Sequence, residues 1–221
     1  MHINEIALFA PNLDQAAAFY SGGLGLPIES RTNTEIQFSV GESILTFVRD
    51  TTDTVTTSYH YAINIPENQF QEGKAWLRQR VPLIPDPNGF DEFFFENWNA
   101  HACYFYDPFG NIGELIARHT THTATNAPFS SHSLLSISEI GIPVEDVLAF
   151  VVTAGKTWGL RPYLNRSSED FTAIGDHDGL LITVKRGRLW YPNGQVAADQ
   201  LPARVILEDA KGSMQTITRW G

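Results

Sequence analysis

YFYDPFGNIGELIAR (104–118) is the stretch on which the fold turns. Asp107, Pro108, Phe109 and Gly110 take the four places of a type I turn: Asp suits the first, Pro presets φ at the second, and Gly suits the fourth. With Gly110 left-handed the turn becomes a three-residue hairpin loop with a bulge, which pairs Asp107 with Asn111. Counting outward sets Tyr104 opposite Glu114, on one face of the sheet. Ile112 and Ile116 flank Glu114 on that face. A carboxylate among such neighbours is costly to bury unless a metal ion or a proton pairs with it.

Upstream, INEIALF (3–9) reads as a strand and PNLDQAAAFYSGGLGLPI as a helix. Asn12 is its N-cap with Gln15 three residues on, and Gly22 and Gly23 end it. EIQFSV (35–40) and SILTFVR (43–49) are short strands joined at Gly41-Glu42, and 49–58 is a polar loop. YHYAINI (59–65) is a strand and 66–81 a helix. FFFEN (93–97), HACYFY (101–106) and NIGELIA (111–117) complete the half.

After a polar stretch at 119–132, read as a linker, the pattern begins again. ISEIGIPVEDVLAFVVTAGKTWGL (137–160) parallels INEIALFAPNLDQAAAFYSGGLGL (3–26), with Glu139 repeating Glu5. FTAIGDHDGLLITVKRG (171–187) parallels IQFSVGESILTFVRD (36–50), and ARVILED (203–209) parallels YHYAINIPEN (59–68). An internal repeat of this kind means two copies of one supersecondary unit. Residues 214–221 are too short to repeat the hairpin at 101–117. The domain reading is therefore 1–118, a linker at 119–132, and a truncated copy at 133–221.

Composition narrows the function. Hydrophobic residues make up 43% of the 221, enough for a packed core, and aromatics make up 12%. A net charge of −10 argues against nucleic acid or an anionic membrane surface as partner. Cys103 is the one cysteine, so neither a disulfide framework nor a cysteine-rich zinc site is expected. No signal peptide or membrane-spanning run is read, and a soluble cytoplasmic protein, monomer or homodimer, is the expectation.

The hairpin, the opening strand and helix, and HYAINIP together resemble the vicinal oxygen chelate superfamily of glyoxalase, bleomycin-resistance and extradiol-dioxygenase relatives. The resemblance covers 3–117 well and 137–209 weakly. It implies an α+β fold: two tandem βαβββ modules forming a curved mixed β-sheet cup with helices outside, the second module truncated. It also implies one divalent ion (Mn, Fe, Zn or Mg) held by residues of a first strand, a fifth strand and the late glutamate. Residue by residue these are Glu5, His60 and Glu114, with Glu5 where the relatives usually carry histidine. Two carboxylates and one imidazole make a hard site, favouring Mn²⁺, Mg²⁺ or Zn²⁺ over Fe(II). Tyr104 matches a tyrosine that binds substrate oxygens in the extradiol enzymes.

His101 is a candidate acid/base at the cavity mouth. It lies three residues from Tyr104, so a regular strand would turn it away unless bulged. The second module, whose counterpart of His60 falls near Pro202, is expected to be a metal-free wall or lid. His2, offset from Glu5, and the histidines His119, His122 and His132 are not expected to ligate, nor is the 176–179 turn. The implied function is a metal-dependent enzyme, dioxygenase or lyase, acting on a small oxygenated substrate, and the aromatic content suits one that is apolar or aromatic. The alternative is a metal-free binding protein of the bleomycin-resistance type. Glyoxalase I activity is not expected, because the place in strand 43–49 that would supply a carboxylate reads Leu45 or Thr46.

Overall fold

The structure is a computed structural model that describes residues 1–51, 58–209 and 211–219; most of the polar loop expected at 49–58 lies outside the described residues. In chain order the strands are β1 (His2–Ala10), β2 (Ile28–Arg31), β3 (Glu35–Val40), β4 (Ser43–Arg49), β5 (His60–Ile65), β6 (Phe93–Phe95), β7 (Ala100–Tyr106), β8 (Ile112–Arg118), β9 (Ser136–Val144), β10 (Phe171–Asp176), β11 (Gly179–Lys185), β12 (Ala203–Glu208) and β13 (Met214–Arg219). The helices are α1 (Leu13–Ala16, prolonged in π-helical form over Ala17–Gly23), α2 (Phe70–Arg78) and α3 (Val147–Trp158).

The turn at Asp107 forms as its residues dictate. Gly110 has φ +80°, and its N–H donates to Asp107 O at 3.0 Å. The Asp107 carboxylate accepts from the backbone N–H of Phe109 and Asn111 and from the Tyr20 hydroxyl at 2.7 Å. A buried aspartate is thereby satisfied inside the loop it organises. β7 and β8 pair without a bulge, and Tyr104 stands opposite Glu114. Asn12 caps α1 by accepting from Asp14 and Gln15 N–H. Asp146 does the same for α3, which Gly159 ends at φ +68°.

All 13 strands join one curved mixed sheet, whose core order is β2-β3-β4-β1-β9-β5-β8-β7-β6. Strand pairing therefore crosses between the two halves of the chain. β5, from the first half, docks antiparallel on β9, from the second. β1 docks antiparallel on β12 in the same manner. Two cups result. One is built from β6-β7-β8-β5 against β9-β11-β10, the other from β2-β3-β4-β1 against β12-β13. Each takes strands from both halves of the chain.

Behind the sheet, Tyr20 from α1 packs against Phe38 and Phe47 at 5.3 and 5.0 Å between ring centroids. Residues 119–130 carry no strand or helix and strap across the start of α2. Asn68 Nδ2 donates to Thr125 O, Gln69 Nε2 to Ala127 O, and Phe129 packs on Trp76. No helix among the described residues is long and apolar enough to cross a membrane.

Candidate metal centre and its cavity

The register of three strands builds the site. Ala62, in β5, faces Glu114 across β8 and Glu139 across β9. His60 lies two residues earlier, so period-two alternation puts it on the same face. Both carboxylates thus flank a methyl group, and the imidazole stands at the next rung. His60 Nε2 lies 3.6 Å from Glu114 Oε2 and 3.9 Å from Glu139 Oε2. All three side chains are buried, and one ligand atom from each lies within 4.8 Å of the others.

Neighbouring groups orient each member. His60 Nδ1 lies 3.3 Å from the Ile112 carbonyl. A carbonyl only accepts, so this contact calls for a proton on Nδ1, and Nε2 is the nitrogen that faces the carboxylates. Glu139 Oε1 is held by Arg118, which ends β8 on the same face as Glu114. Arg118 is 1% exposed, and the Trp98 ring lies 5.3 Å from its guanidinium carbon. Tyr104 stands opposite Glu114 across the β7–β8 pair. Burial, and then the charge of Glu139, push the Glu114 carboxyl well above the usual carboxylate range, against the opposing pull of Arg118. Burial and the same carboxylates push the Tyr104 hydroxyl up.

The residues present fit a divalent cation. Such an ion holds nitrogen and oxygen ligands at roughly 2.0–2.2 Å, and the His60 separations fall within the span that two such bonds cover. An imidazole, a carboxylate paired with Arg118 and a second carboxylate strained by burial form a set that a cation would stabilise.

The cluster lies at one end of a cavity of about 420 Å³. Trp98, Trp190, Tyr191, Phe95 and Phe171 line it, with Arg188 and Glu96 as its other charged residues.

Of the residues singled out from sequence, His60, Glu114 and Tyr104 come together here. Glu5 does not join them. It lies in the other cup, where Arg204 Nη2 donates to it at 2.7 Å and Thr46 Oγ1 at 2.9 Å. The reason is the strand exchange: β5 takes β9, not β1, as its antiparallel neighbour, so Glu139, the repeat of Glu5, arrives in its stead. The second half is accordingly more than a wall, since it brings Glu139, Trp190 and Arg188 to the cavity. The counterpart of His60 is also not Pro202. Arg204 faces Ala7 as His60 stands beside Gly141, so the second cup closes its equivalent place with an ion pair.

His101 faces away from the cavity, as an unbulged β7 requires. It hydrogen-bonds His119 at 2.7 Å and packs on Phe70 of α2. His2 reaches only the Glu42 carbonyl. Arg118 was missed in the sequence, although counting by twos from Glu114 puts it on the ligand face.

No protein-family model matches the chain, and no curated protein matches it. Solved structures do. A protein of Bacillus subtilis subsp. subtilis str. 168, provisionally described as a dioxygenase, aligns over 99% of this chain and 84% of its own at TM-score 0.62 and 15% identity. The chain has the vicinal oxygen chelate fold. Glyoxalase I from Zea mays aligns over 90% of this chain and 72% of its own at TM-score 0.54 and 12% identity. At such identities the likeness speaks for the fold. What this vicinal oxygen chelate cup does rests on its own residues.

Proposed function

We propose that the first cup binds one divalent cation through His60, Glu114 and Glu139 and acts on a small oxygenated substrate seated beside it in the aromatic cavity. The observation that carries this reading is the convergence of a buried imidazole Nε2 and two buried carboxylates at the end of that cavity. A divalent ion held there would supply Lewis-acid chemistry where negative charge develops on a substrate oxygen. Arg118 fixes Glu139 so that its second oxygen stays turned to the site. Glu114 and Tyr104, opposite each other across the hairpin, are the groups able to hold a proton or hand it to a substrate oxygen. Trp190, 4% exposed, and Trp98 shield these groups from water. The parts suit a lyase, isomerase or dioxygenase. The donor set is still two carboxylates and one imidazole, so Mn²⁺, Mg²⁺ or Zn²⁺ remain the favoured ions.

Elemental analysis of gently purified protein tests this, with about one divalent ion per chain expected. An ion at roughly a hundredfold excess over its dissociation constant stabilises by about 2.7 kcal/mol. For a chain of this length that is a rise of about 5–11 °C in melting temperature. His60→Ala should abolish the rise. No bound metal, together with no shift from added Mn²⁺, Mg²⁺ or Zn²⁺, overturns the reading.

One observation favours a second reading, metal-free sequestration of a ligand: Arg118 already neutralises Glu139. Stabilisation of the EDTA-treated protein by a ligand, without any response to metal, would select it.

A further inference from the structure

We infer that the cavity takes a small aromatic monoanion, its ring packed among Trp190, Tyr191 and Trp98 and its carboxylate met by Arg188. The inference rests on the proposal that the cavity beside His60, Glu114 and Glu139 is where the ligand sits.

The walls are aromatic and braced. Trp190 lies 5.1 Å from the His60 ring, centroid to centroid, and Tyr191 meets Tyr104 edge-on at 5.5 Å. Trp190 rests on Gly141, where an added Cβ would come within 2.7 Å of the indole. That glycine lets the indole settle against the backbone of β9 as a fixed wall. Flat, fixed π-faces favour a planar ring over an aliphatic chain of the same length.

Arg188 supplies the charge preference. Its backbone is anchored on both sides, its N–H donating to Lys185 O at 3.0 Å and its carbonyl accepting from Ala198 N–H at 2.8 Å. Its guanidinium lies 5.3 Å from the Phe171 ring centre, and its side chain reaches the Leu189 carbonyl at 3.5 Å. Among the described residues it meets no carboxylate, whereas Arg186 on the same turn pairs with both Glu145 and Asp199. A guanidinium with one face on an aromatic ring and no carboxylate partner among the described residues, its one side-chain hydrogen bond a long one to the Leu189 carbonyl, suits a carboxylate. Glu96, across the rim, and Arg188 are both exposed, so solvent screens the two charges alike and keeps their mutual attraction small. At the floor, a divalent ion held by two ionised carboxylates beside Arg118 would leave one net positive charge, which a monoanion balances.

The test is binding, followed by tryptophan fluorescence and calorimetry with Mn²⁺ present and again after EDTA. The probes are 3,4-dihydroxybenzoate, its neutral amide 3,4-dihydroxybenzamide, and glycerate, which has the neighbouring oxygens and the carboxylate but no ring. The acid should bind about fivefold or more tighter than the amide, the scale of one partly exposed charge-assisted contact. Glycerate should bind weakest. Arg188→Gln should close the gap between acid and amide, and Arg186→Gln, the folding control from the same turn, should leave it open. Equal binding of acid and amide, or a gap that survives Arg188→Gln, overturns the inference. If Mn²⁺ stabilises the protein through His60 while acid and amide bind alike, this inference fails and the metal site stands. If no metal binds but the acid preference depends on Arg188, the metal site fails and this inference stands.

Discussion

Removing the arginine behind Glu139 should weaken the protein more than any exposed charge change. Arg118 and Glu139 are 1% and 3% exposed, and they pair inside the sheet. Arg118→Met leaves Glu139 ionised beside Glu114 with no cation in reach. Breaking a buried pair by removing one partner costs about 3–5 kcal/mol, and the lost contact with Trp98 adds roughly 0.5–2 kcal/mol. At about 2–4 °C per kcal/mol for a chain of this size, the melting temperature should fall by at least about 6 °C. The measurement is urea and thermal denaturation followed by circular dichroism at pH 7 in EDTA. Arg118→Met/Glu139→Leu, which removes both charges, should recover most of the loss, because apolar replacement of a buried pair is often near neutral. The coupling from the double-mutant cycle should then be about 2 kcal/mol or more. Mn²⁺ should rescue the single variant in part by supplying the missing positive charge. A loss under about 1 kcal/mol in Arg118→Met, or strictly additive losses in the double variant, would refute the picture of a dry, mutually dependent pair.

The raised pKa of Glu114 fixes the sign of a pH effect. A carboxyl that ionises later in the folded state than in the unfolded contributes stability at low pH that is lost as pH rises through its folded pKa. EDTA-treated protein should therefore lose stability towards alkaline pH, metal should stabilise more as pH rises because it competes with that proton, and Glu114→Gln should flatten both trends in melting curves. Gly41 has φ +56°, and a Cβ there would stand 1.9 Å from the Leu135 carbonyl oxygen. Gly41→Ala should cost more than about 3 kcal/mol in urea unfolding. Gly22→Ala, with nothing within 4 Å of its Cβ, should stay within about 1 kcal/mol of wild type. Burial pushes the Cys103 thiol up to about 12, so iodoacetamide should label it at pH 8 only after denaturation.

Local chemistry carried the reading of the hairpin. A turn of Asp, Pro and Gly sets its own register, and that register paired Tyr104 with Glu114 as the strands do. His60 and Glu114 were legible because both lie within one half of the chain. The third ligand was not, because Glu5 and Glu139 stand in nearly identical strands and nothing local says which of them docks on β5. That choice is made by long-range antiparallel pairing. Trp190 and Arg188 escaped notice for a different reason: they sit in the stretch between β11 and β12 that has no counterpart in the repeat. His101 points away from the cavity, as strand geometry already visible in its spacing from Tyr104 requires.

The exchange of strands between the two halves has a consequence in time. Glu5 and Arg204 are separated by 199 positions, yet they share an ion pair across neighbouring strands. During synthesis β1 is therefore made long before β12, and most of that edge must wait unpaired until residues 203–208 have emerged. β5, by contrast, finds β9 much sooner. Contacts of such separation are slow to close, so the cup that carries the candidate site can assemble first and the second cup can seal the molecule last.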